Sequence, residues 1–387
     1  MKRVLLFGAS GSIGGSTLDV LRSRPDAFRL AGLSVHRNTA PLAGWIREFA
    51  PARVQVTDPA AHARWAPAYP EFADRLLPAG SPPEALLEAP ADLALNGVLG
   101  FAGLAVTLAV LAAGLDLALA NKESLVCGGE LLAAARRRSR GRLLPVDSEH
   151  SALAQLLAGR PREQIRRVWL TASGGPFREL PSAALAAVTP AQALRHPTWR
   201  MGPKISVDSA TLMNKGLEII EAAQLFDLSP AMIGVLIHPG SLAHAFVELS
   251  DASLLCQLAA PDMRQPILAA LSHPERPVAD YGRLNLDAPL RLDFAPLDGA
   301  RFPAVGLARA ALAAGGTAPL ALNAADELAV AAFLAGGLPF TGIVAVVEGV
   351  LATGGWEPAA DFPALVEADA RARALAAEQV RALERTA

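Results

Sequence analysis

The sequence predicts an α/β protein in three parts: an N-terminal doubly wound, Rossmann-like parallel-sheet domain, an α+β domain and a C-terminal helical domain. Three observations lead there. Short apolar runs alternate with amphipathic ones through the first third of the chain. After about residue 147 the apolar runs become strands joined by short turns, and from residue 304 the pattern is Ala-rich and helical.

In order, "RVLLFG" (3–8), "RLAGLSV" (29–35), "RVQV" (53–56), "DLALNG" (92–97), "LDLALA" (115–120) and "RLLPV" (142–146) read as strands. Helical stretches such as 13–24 and 122–138 lie between them, the alternation that yields a parallel sheet covered on both faces. A second sheet is expected from 166–173, 233–238, 245–250 and 253–259, with helices near 211–226 and 262–271. Residues 272–303, rich in Pro, Asp and Arg without sustained periodicity, read as a surface linker. The expected domains are therefore 1–146, 147–271 and 304–387, with the linker at 272–303. A chain of 387 residues is longer than one core usually organises, which fits such a division.

Composition narrows the function. A net charge of −2 and a hydrophobic fraction of 52% exclude disorder and a molecule-wide nucleic-acid surface. The basic run "ARRRSRGR" (135–142) follows a helical pattern, where Arg complements the helix C-terminus. Cys127 and Cys256 belong to no disulfide framework or zinc spacing, so a reducing, cytoplasmic setting is expected. The apolar stretch within Met1–Gly8 is too short for a signal peptide, and no leader is expected. "GVLGFAGLAVTLAVLAAGL" (97–115) is long enough to span a bilayer, yet its four glycines and lack of flanking basic residues predict a loop, a buried helix and a turn. No membrane association follows. Among the 35 basic residues only Lys2, Lys122, Lys204 and Lys215 are Lys, so the internal three are candidates for chemistry that needs a compact ammonium.

"VLLFGASGSIGGSTLDVL" sets Gly8, Gly11 and Gly14 between a strand and a helix. Such glycines let the backbone turn tightly and approach a pyrophosphate at the helix N-terminus. The second strand ends in His36, Arg37 and Asn38 without an acid, which favours NADPH over NADH.

"LLPVDSEH" (143–150) ends an apolar run in Asp147 and Glu149, interleaved with Ser148 and His150. On a strand, the i, i+2 spacing would project both carboxylates to one face, where they repel unless a cation or proton lies between them. Oxygen ligands without Cys suit Mg²⁺ or Mn²⁺, with Co²⁺ as a third candidate, and call for a further acid. Glu218 supplies it on a predicted helix, three residues from Lys215 and four from Asn214, with Glu221 as the alternative. A solvated strand end with Ser148 opening a helix cap is the competing reading of Asp147 and Glu149. "TASGGPF" (171–177) suits an oxyanion or an ordinary turn, and "RHPTWRMGPK" (195–204) has the make-up of a lid.

Together "GASGSIGGSTLDV", "LANKESLV", "LLPVDSEHSA", "TASGGPFRE", "RHPTWRMGPKISVDSATLMNKGLEIIEA", "VLIHPGS", "APDMRQPI" and "ALNAADELAVAAFL" resemble the 1-deoxy-D-xylulose 5-phosphate reductoisomerase family across essentially the whole chain. The resemblance implies Asp147, Glu149 and Glu218 as metal ligands, and Ser173, Ser209, Asn214 and Lys215 as the substrate-phosphate site. It places Lys122, Ser148 and His196 in the substrate pocket and implies Lys122, Glu149 and His196 as the catalytic residues, with Lys122 and Glu149 as candidate proton handlers. Trp199 and Met201 fall in a flap at 195–204. Ser10, Gly11, Ser12, Ile13, Arg37, Asn38, Asn121, Glu123 and Gly202 match NADPH contacts, beside Gly8 and His36 from the glycine loop and second strand.

The implied reaction rearranges 1-deoxy-D-xylulose 5-phosphate to the branched aldehyde 2-C-methylerythrose 4-phosphate. NADPH then reduces this to 2-C-methyl-D-erythritol 4-phosphate, in the non-mevalonate isoprenoid pathway. A homodimer is implied as well. His36, Gly240 and Asp326 depart from the family pattern, where Gly, Gln and Asn are usual. A metal-independent NADPH dehydrogenase of a sugar phosphate and a non-enzymatic NADPH sensor are the rival readings, and neither needs three acids.

Overall fold

The structure, a computed structural model, describes residues 1–196, 198–199 and 201–384. It divides into two compact units, Met1–Asn121 with Ala134–Ser151 and Asp262–Tyr281, and Lys122–Ala133 with Ala152–Pro261 and Gly282–Ala387.

The chain opens with β1 (Lys2–Phe7), α1 (Ser12–Ser23), β2 (Phe28–Val35), α2 (Leu42–Phe49), β3 (Arg53–Val56) and α3 (Pro59–Ala68). It continues through α4 (Pro83–Leu87), β4 (Leu93–Asn96), α5 (Gly103–Ala112), β5 (Asp116–Leu119), α6 (Lys122–Arg138) and β6 (Leu143–Pro145). The six strands form one sheet in the order β3-β2-β1-β4-β5-β6, every neighbouring pair parallel. This is the doubly wound arrangement. Both faces are covered, so the strands read as nearly unbroken apolar runs: Val4, Leu5 and Leu6 are fully buried and Phe7 almost so. Each such side chain contributes about 1.5–3 kcal/mol.

The strand order reverses between β1 and β4, and Gly8 and Gly97 stand there at the carboxyl ends, where open α/β sheets bind ligands. The 97–115 run resolves into a loop, α5 and a turn. Among the described residues no helix is long and apolar enough to cross a membrane.

After α7 (Ser148–Leu157) come β7 (Ile165–Ala172), α8 (Pro190–Ala193), α9 (Pro203–Thr211) and α10 (Met213–Phe226). β8 (Ile233–Ile237), β9 (Ala243–Leu249) and β10 (Leu254–Leu258) precede α11 (Arg264–Ser272). The second sheet has the order β10-β9-β7-β8-β11, where β11 (Ala295–Pro296) is a two-residue strand inside the expected linker. β11 pairs antiparallel with β8 through Ile237 and Leu236, a register that no side-chain periodicity announced. Ile219 and Ala222 of α10 pack with Val168, Leu170, Ile233 and Val247 of the sheet, giving this unit its own core. α12 (Ala304–Ala314), α13 (Ala318–Leu334), α14 (Phe340–Ala352) and α15 (Phe362–Glu384) form the helical region. α13 is its centre, with Leu320, Leu322, Ala325, Ala329, Val330 and Phe333 at most 1% exposed.

Candidate active site

The first unit carries the glycine loop. Gly8 has φ +83°, and an added Cβ there would lie 2.7 Å from the Gly97 carbonyl oxygen, so β1 and β4 approach closely only without a side chain. Gly14 is buried, and a Cβ on it would collide with the Ala9 carbonyl oxygen. Gly11 occupies the N-cap of α1 and supplies no capping side chain. Ser10 lies in the turn, Ser12 opens the helix, and Ile13 packs beneath Gly97.

At the end of β2, His36, Arg37 and Asn38 are all exposed. His36 Nδ1 lies 2.9 Å from the Thr57 hydroxyl, and Arg37 Nε donates to Asp58 at 3.2 Å. Asp58 also caps α3 by accepting from Ala61 N–H. Arg37 therefore retains a mostly exposed guanidinium at the place where a 2′-phosphate would need positive charge. Asn121 turns inward instead, donating from Nδ2 to the Gly100 carbonyl at 2.9 Å beneath Gly103.

Asp147 and Glu149 do not lie on a strand. β6 ends at Pro145, and Ser151 N–H donates to the Asp147 carbonyl at 2.8 Å, so Asp147 stands at the N-cap of α7. Glu149 occupies the first helical turn, where the dipole favours an acid, and Ser148 Oγ donates to its Oε2 at 2.5 Å. The expected two-residue alternation is replaced by a strand-to-helix turn.

The second unit carries the other half of the predicted set. On α10, Glu218 is fully buried, and its carboxylate receives Lys122 Nζ at 3.1 Å and Asn214 Nδ2 at 2.5 Å on Oε1, with Lys215 Nζ on Oε2. Lys122 also donates to Asn214 Oδ1 at 2.9 Å. The i, i+3 and i, i+4 spacings place Lys215 and Asn214 as predicted, and two ammonium groups meet on one buried carboxylate. Glu221, the alternative acid, is 1% exposed on the same helix.

Ser173 follows β7 and receives the Gly175 N–H at 3.2 Å. Gly174 and Gly175 both have positive φ, and a Cβ on Gly175 would lie 2.7 Å from the Ser209 carbonyl oxygen, so α9 rests directly on this loop. His196 Nε2 lies 2.9 Å from Ser173 Oγ, while its Nδ1 accepts the N–H groups of Thr198 at 3.1 Å and Trp199 at 2.9 Å. Those two donors fix a neutral imidazole with the proton on Nε2, and burial lowers the His196 pKa in the same sense.

Trp199 is half-buried with its ring 6.5 Å from His244, Met201 two positions on is half-buried, and Gly202 is the N-cap of α9. Of the flap at 195–204, Pro197 and Arg200 lie outside the described residues. Glu123 is 6% exposed within this unit, and burial pushes its carboxyl up against the pull of Lys204 and Lys122.

One cluster was not foreseen. Lys204 Nζ lies 2.6 Å from Asp208 and 2.8 Å from Asp326, all three nearly enclosed. Only the scarcity of lysine hinted at it.

Comparison with known proteins places these residues in context. Family models match residues 4–129 (1-deoxy-D-xylulose 5-phosphate reductoisomerase), 143–226 (1-deoxy-D-xylulose 5-phosphate reductoisomerase C-terminal domain) and 258–375 (DXP reductoisomerase C-terminal domain). The 1-deoxy-D-xylulose 5-phosphate reductoisomerase of Rhodospirillum centenum is 46% identical over 99% of this chain and 95% of its own. That of Xanthomonas oryzae pv. oryzae is 48% identical over 96% and 95%.

Among solved structures, the Zymomonas mobilis reductoisomerase in complex with NADPH has a TM-score of 0.89 and 39% identity, covering 98% of this chain and 99% of that one. A DOX-P reductoisomerase in complex with NADPH, fosmidomycin and magnesium has a TM-score of 0.91 and 35% identity, covering 98% of each. Likeness of this extent, in sequence and in fold, leaves one assignment: the chain belongs to the 1-deoxy-D-xylulose 5-phosphate reductoisomerase family.

Proposed function

We propose that this chain binds NADPH and one divalent cation and converts 1-deoxy-D-xylulose 5-phosphate to 2-C-methyl-D-erythritol 4-phosphate by rearrangement and reduction. The observation that carries the reading is the buried Glu218 carboxylate with Lys122, Asn214 and Lys215 upon it, in a chain that matches the family along nearly its whole length.

The residues suit both groups. The uncapped N-terminus of α1 and the side-chain-free surface of Gly8 and Gly14 suit the NADPH pyrophosphate, with Arg37 toward its 2′-phosphate. Asp147, Glu149 and Glu218 offer the hard oxygens that Mg²⁺ prefers and that Mn²⁺ also accepts. When bound, the cation supplies stabilisation of the negative charge that develops during rearrangement, and NADPH supplies the hydride for reduction.

Ser173, Ser209, Asn214 and Lys215 hold the substrate phosphate far from the reacting carbons, so its binding energy orients the rest of the molecule. His196, neutral, donates from Nε2 toward Ser173 and the substrate. Ser148 orients Glu149. Glu149 and Lys122 are the groups that hold and move protons at the substrate oxygens. Trp199 and Met201 close over the substrate and exclude water. A homodimer completes the proposal, supported by the exposed Leu254 and Leu258 on edge strand β10, and the proposed setting is the cytoplasm, to which the two cysteines outside any disulfide are suited.

The test is consumption of NADPH with 1-deoxy-D-xylulose 5-phosphate in metal-stripped buffer and after addition of Mg²⁺ or Mn²⁺, for the natural chain and for Asp147→Asn. Metal-dependent turnover is expected, reduced about a hundredfold or more in the variant, equivalent to ~3 kcal/mol of transition-state stabilisation. Undiminished turnover without metal would make the acids structural and favour a metal-independent sugar-phosphate dehydrogenase.

A further inference from the structure

Lys204, Asp208 and Asp326 form a buried group that no step above uses. Lys204 lies in the first turn of α9 and Asp208 one turn later on the same face, while Asp326 comes from the middle of α13. Their side chains are 12%, 3% and 0% exposed.

Enclosing three charges this deeply is costly unless they are paired, as the two short ion pairs of Lys204 pair them, and removal of the single cation would leave two facing acids. Burial first, then the neighbouring Asp326, pushes the Asp208 carboxyl well above the carboxylate range despite Lys204. Glu123 adds a further negative charge toward Lys204 from α6.

The α13 side of the clamp is itself fixed. Glu327, the next residue, pairs with Arg373 of α15 at 2.5 Å, Arg373 also pairs with Asp369 at 2.7 Å, and Asn323 donates to Glu327 at 2.9 Å. The α9 side leads to the site. Ser209 follows Asp208, and its carbonyl rests on Gly175, whose N–H reaches Ser173. A displacement or rotation of α9 therefore moves Ser209 and opens the loop that carries Ser173, because the contact at Gly175 leaves no space for a side chain.

We propose that Lys204, held between Asp208 and Asp326, is a positioning residue for the phosphate end of the substrate site. The clamp pins α9 to α13 and so sets the spacing of Ser209 against Gly175 and Ser173. This rests on the functional reading above for the identity of the phosphate subsite, and it assigns to α13 a part in substrate binding without any contact to substrate.

The experiment compares the natural chain with Lys204→Met, which keeps the apolar stem and removes the ammonium, and with Asp326→Asn, which keeps the volume and one acceptor oxygen. Three quantities are read: the rise in melting temperature caused by inorganic phosphate, KM and kcat for 1-deoxy-D-xylulose 5-phosphate, and NADPH affinity by fluorescence. The expectation for Lys204→Met is loss of the phosphate-induced rise and an increase of about tenfold or more in KM, with kcat within about threefold and NADPH affinity within about twofold. Asp326→Asn moves the same quantities in the same direction by less, and it carries the test if Lys204→Met does not fold.

A folded variant that keeps both the phosphate-induced rise and KM overturns the proposal, as does an equal loss of kcat and NADPH affinity, which denotes general damage. If the natural chain is stabilised by phosphate but turns over no 1-deoxy-D-xylulose 5-phosphate, the functional reading fails while the phosphate measurement still decides the clamp.

Discussion

His196 accepts two backbone N–H groups on one ring nitrogen, an arrangement that only the neutral imidazole can maintain. Protonation at Nδ1 would break both and release Trp199 from the side chain that holds it. Because the folded pKa lies below the ordinary value of about 6.5, the unfolded chain takes up this proton first as pH falls. The stability linked to His196 is thus fully present above about pH 6.5 and declines as pH drops toward the lowered folded pKa. His196→Gln, which has no such titration, is expected to show a flatter fall in melting temperature between about pH 7.5 and about pH 5. An unchanged slope in the variant would remove this role. At this scale the lysine pattern was informative: Lys122, Lys204 and Lys215 all end on buried carboxylates. Asp326 was not legible as the partner of Lys204, since the two meet only through tertiary packing and Asp326 lies on a helix whose pattern reads as plain core. Asp147 and Glu149 were legible as a pair of acids, while the sequence left open whether they sit on one strand face or beside a helix cap opened by Ser148, because alternation over so few residues cannot be told from a cap; α7 starting at Ser148 decides for the cap.

Among the elements, those bounded by strong local chemistry matched their sequence signals. Predicted strands 3–8 and 29–35 correspond to β1 and β2, and the helix expected over 122–138 is α6, although Gly129 (φ +46°) breaks its regularity. β11 escaped notice because two residues paired across a sheet leave no periodicity. The β1–α1 turn offers a matched pair of substitutions. Gly14→Ala drives a methyl group into the Ala9 carbonyl, whereas the Cβ of Gly15→Ala meets nothing within 4 Å. The first is expected to cost about 1–3 kcal/mol of stability and about tenfold or more in NADPH affinity, because α1 must shift away from β1. The second is expected to stabilise by about 0.5–1 kcal/mol through the better helix propensity of Ala, with NADPH affinity retained. Thermal unfolding and a fluorescence titration with NADPH report both. Similar behaviour of the two variants would show that the close approach at Gly14 is unimportant.

For the whole molecule, the sequence divides into contiguous stretches at about 146, 271 and 303, whereas the compact units are discontinuous and residues 262–281 belong with the N-terminal sheet. Texture along the chain cannot reveal such a return, because α11 has the amphipathic pattern of any helix packed on a core. Its place is set by tertiary partners: Ile267, Leu268 and Leu271 join the core of the first unit, and Lys2 Nζ donates to the Leu271 carbonyl at 3.1 Å and the His273 carbonyl at 2.9 Å. Tyr281 lies 2.5 Å from the Ser23 hydroxyl at the end of α1. Three buried aliphatic side chains at about 1.5–3 kcal/mol each amount to as much as the whole net stability of a small domain, about 5–15 kcal/mol. A fragment comprising residues 1–151 is therefore expected to lack a cooperative thermal transition. The same fragment carrying 262–281 on a flexible Gly/Ser linker is expected to regain one, together with NADPH binding, since the glycine loop and β2 lie wholly within it. If the shorter fragment melted cooperatively at the same temperature as the linked one, α11 would be a surface addition and the sequence boundaries would describe the folding unit better than the contacts do.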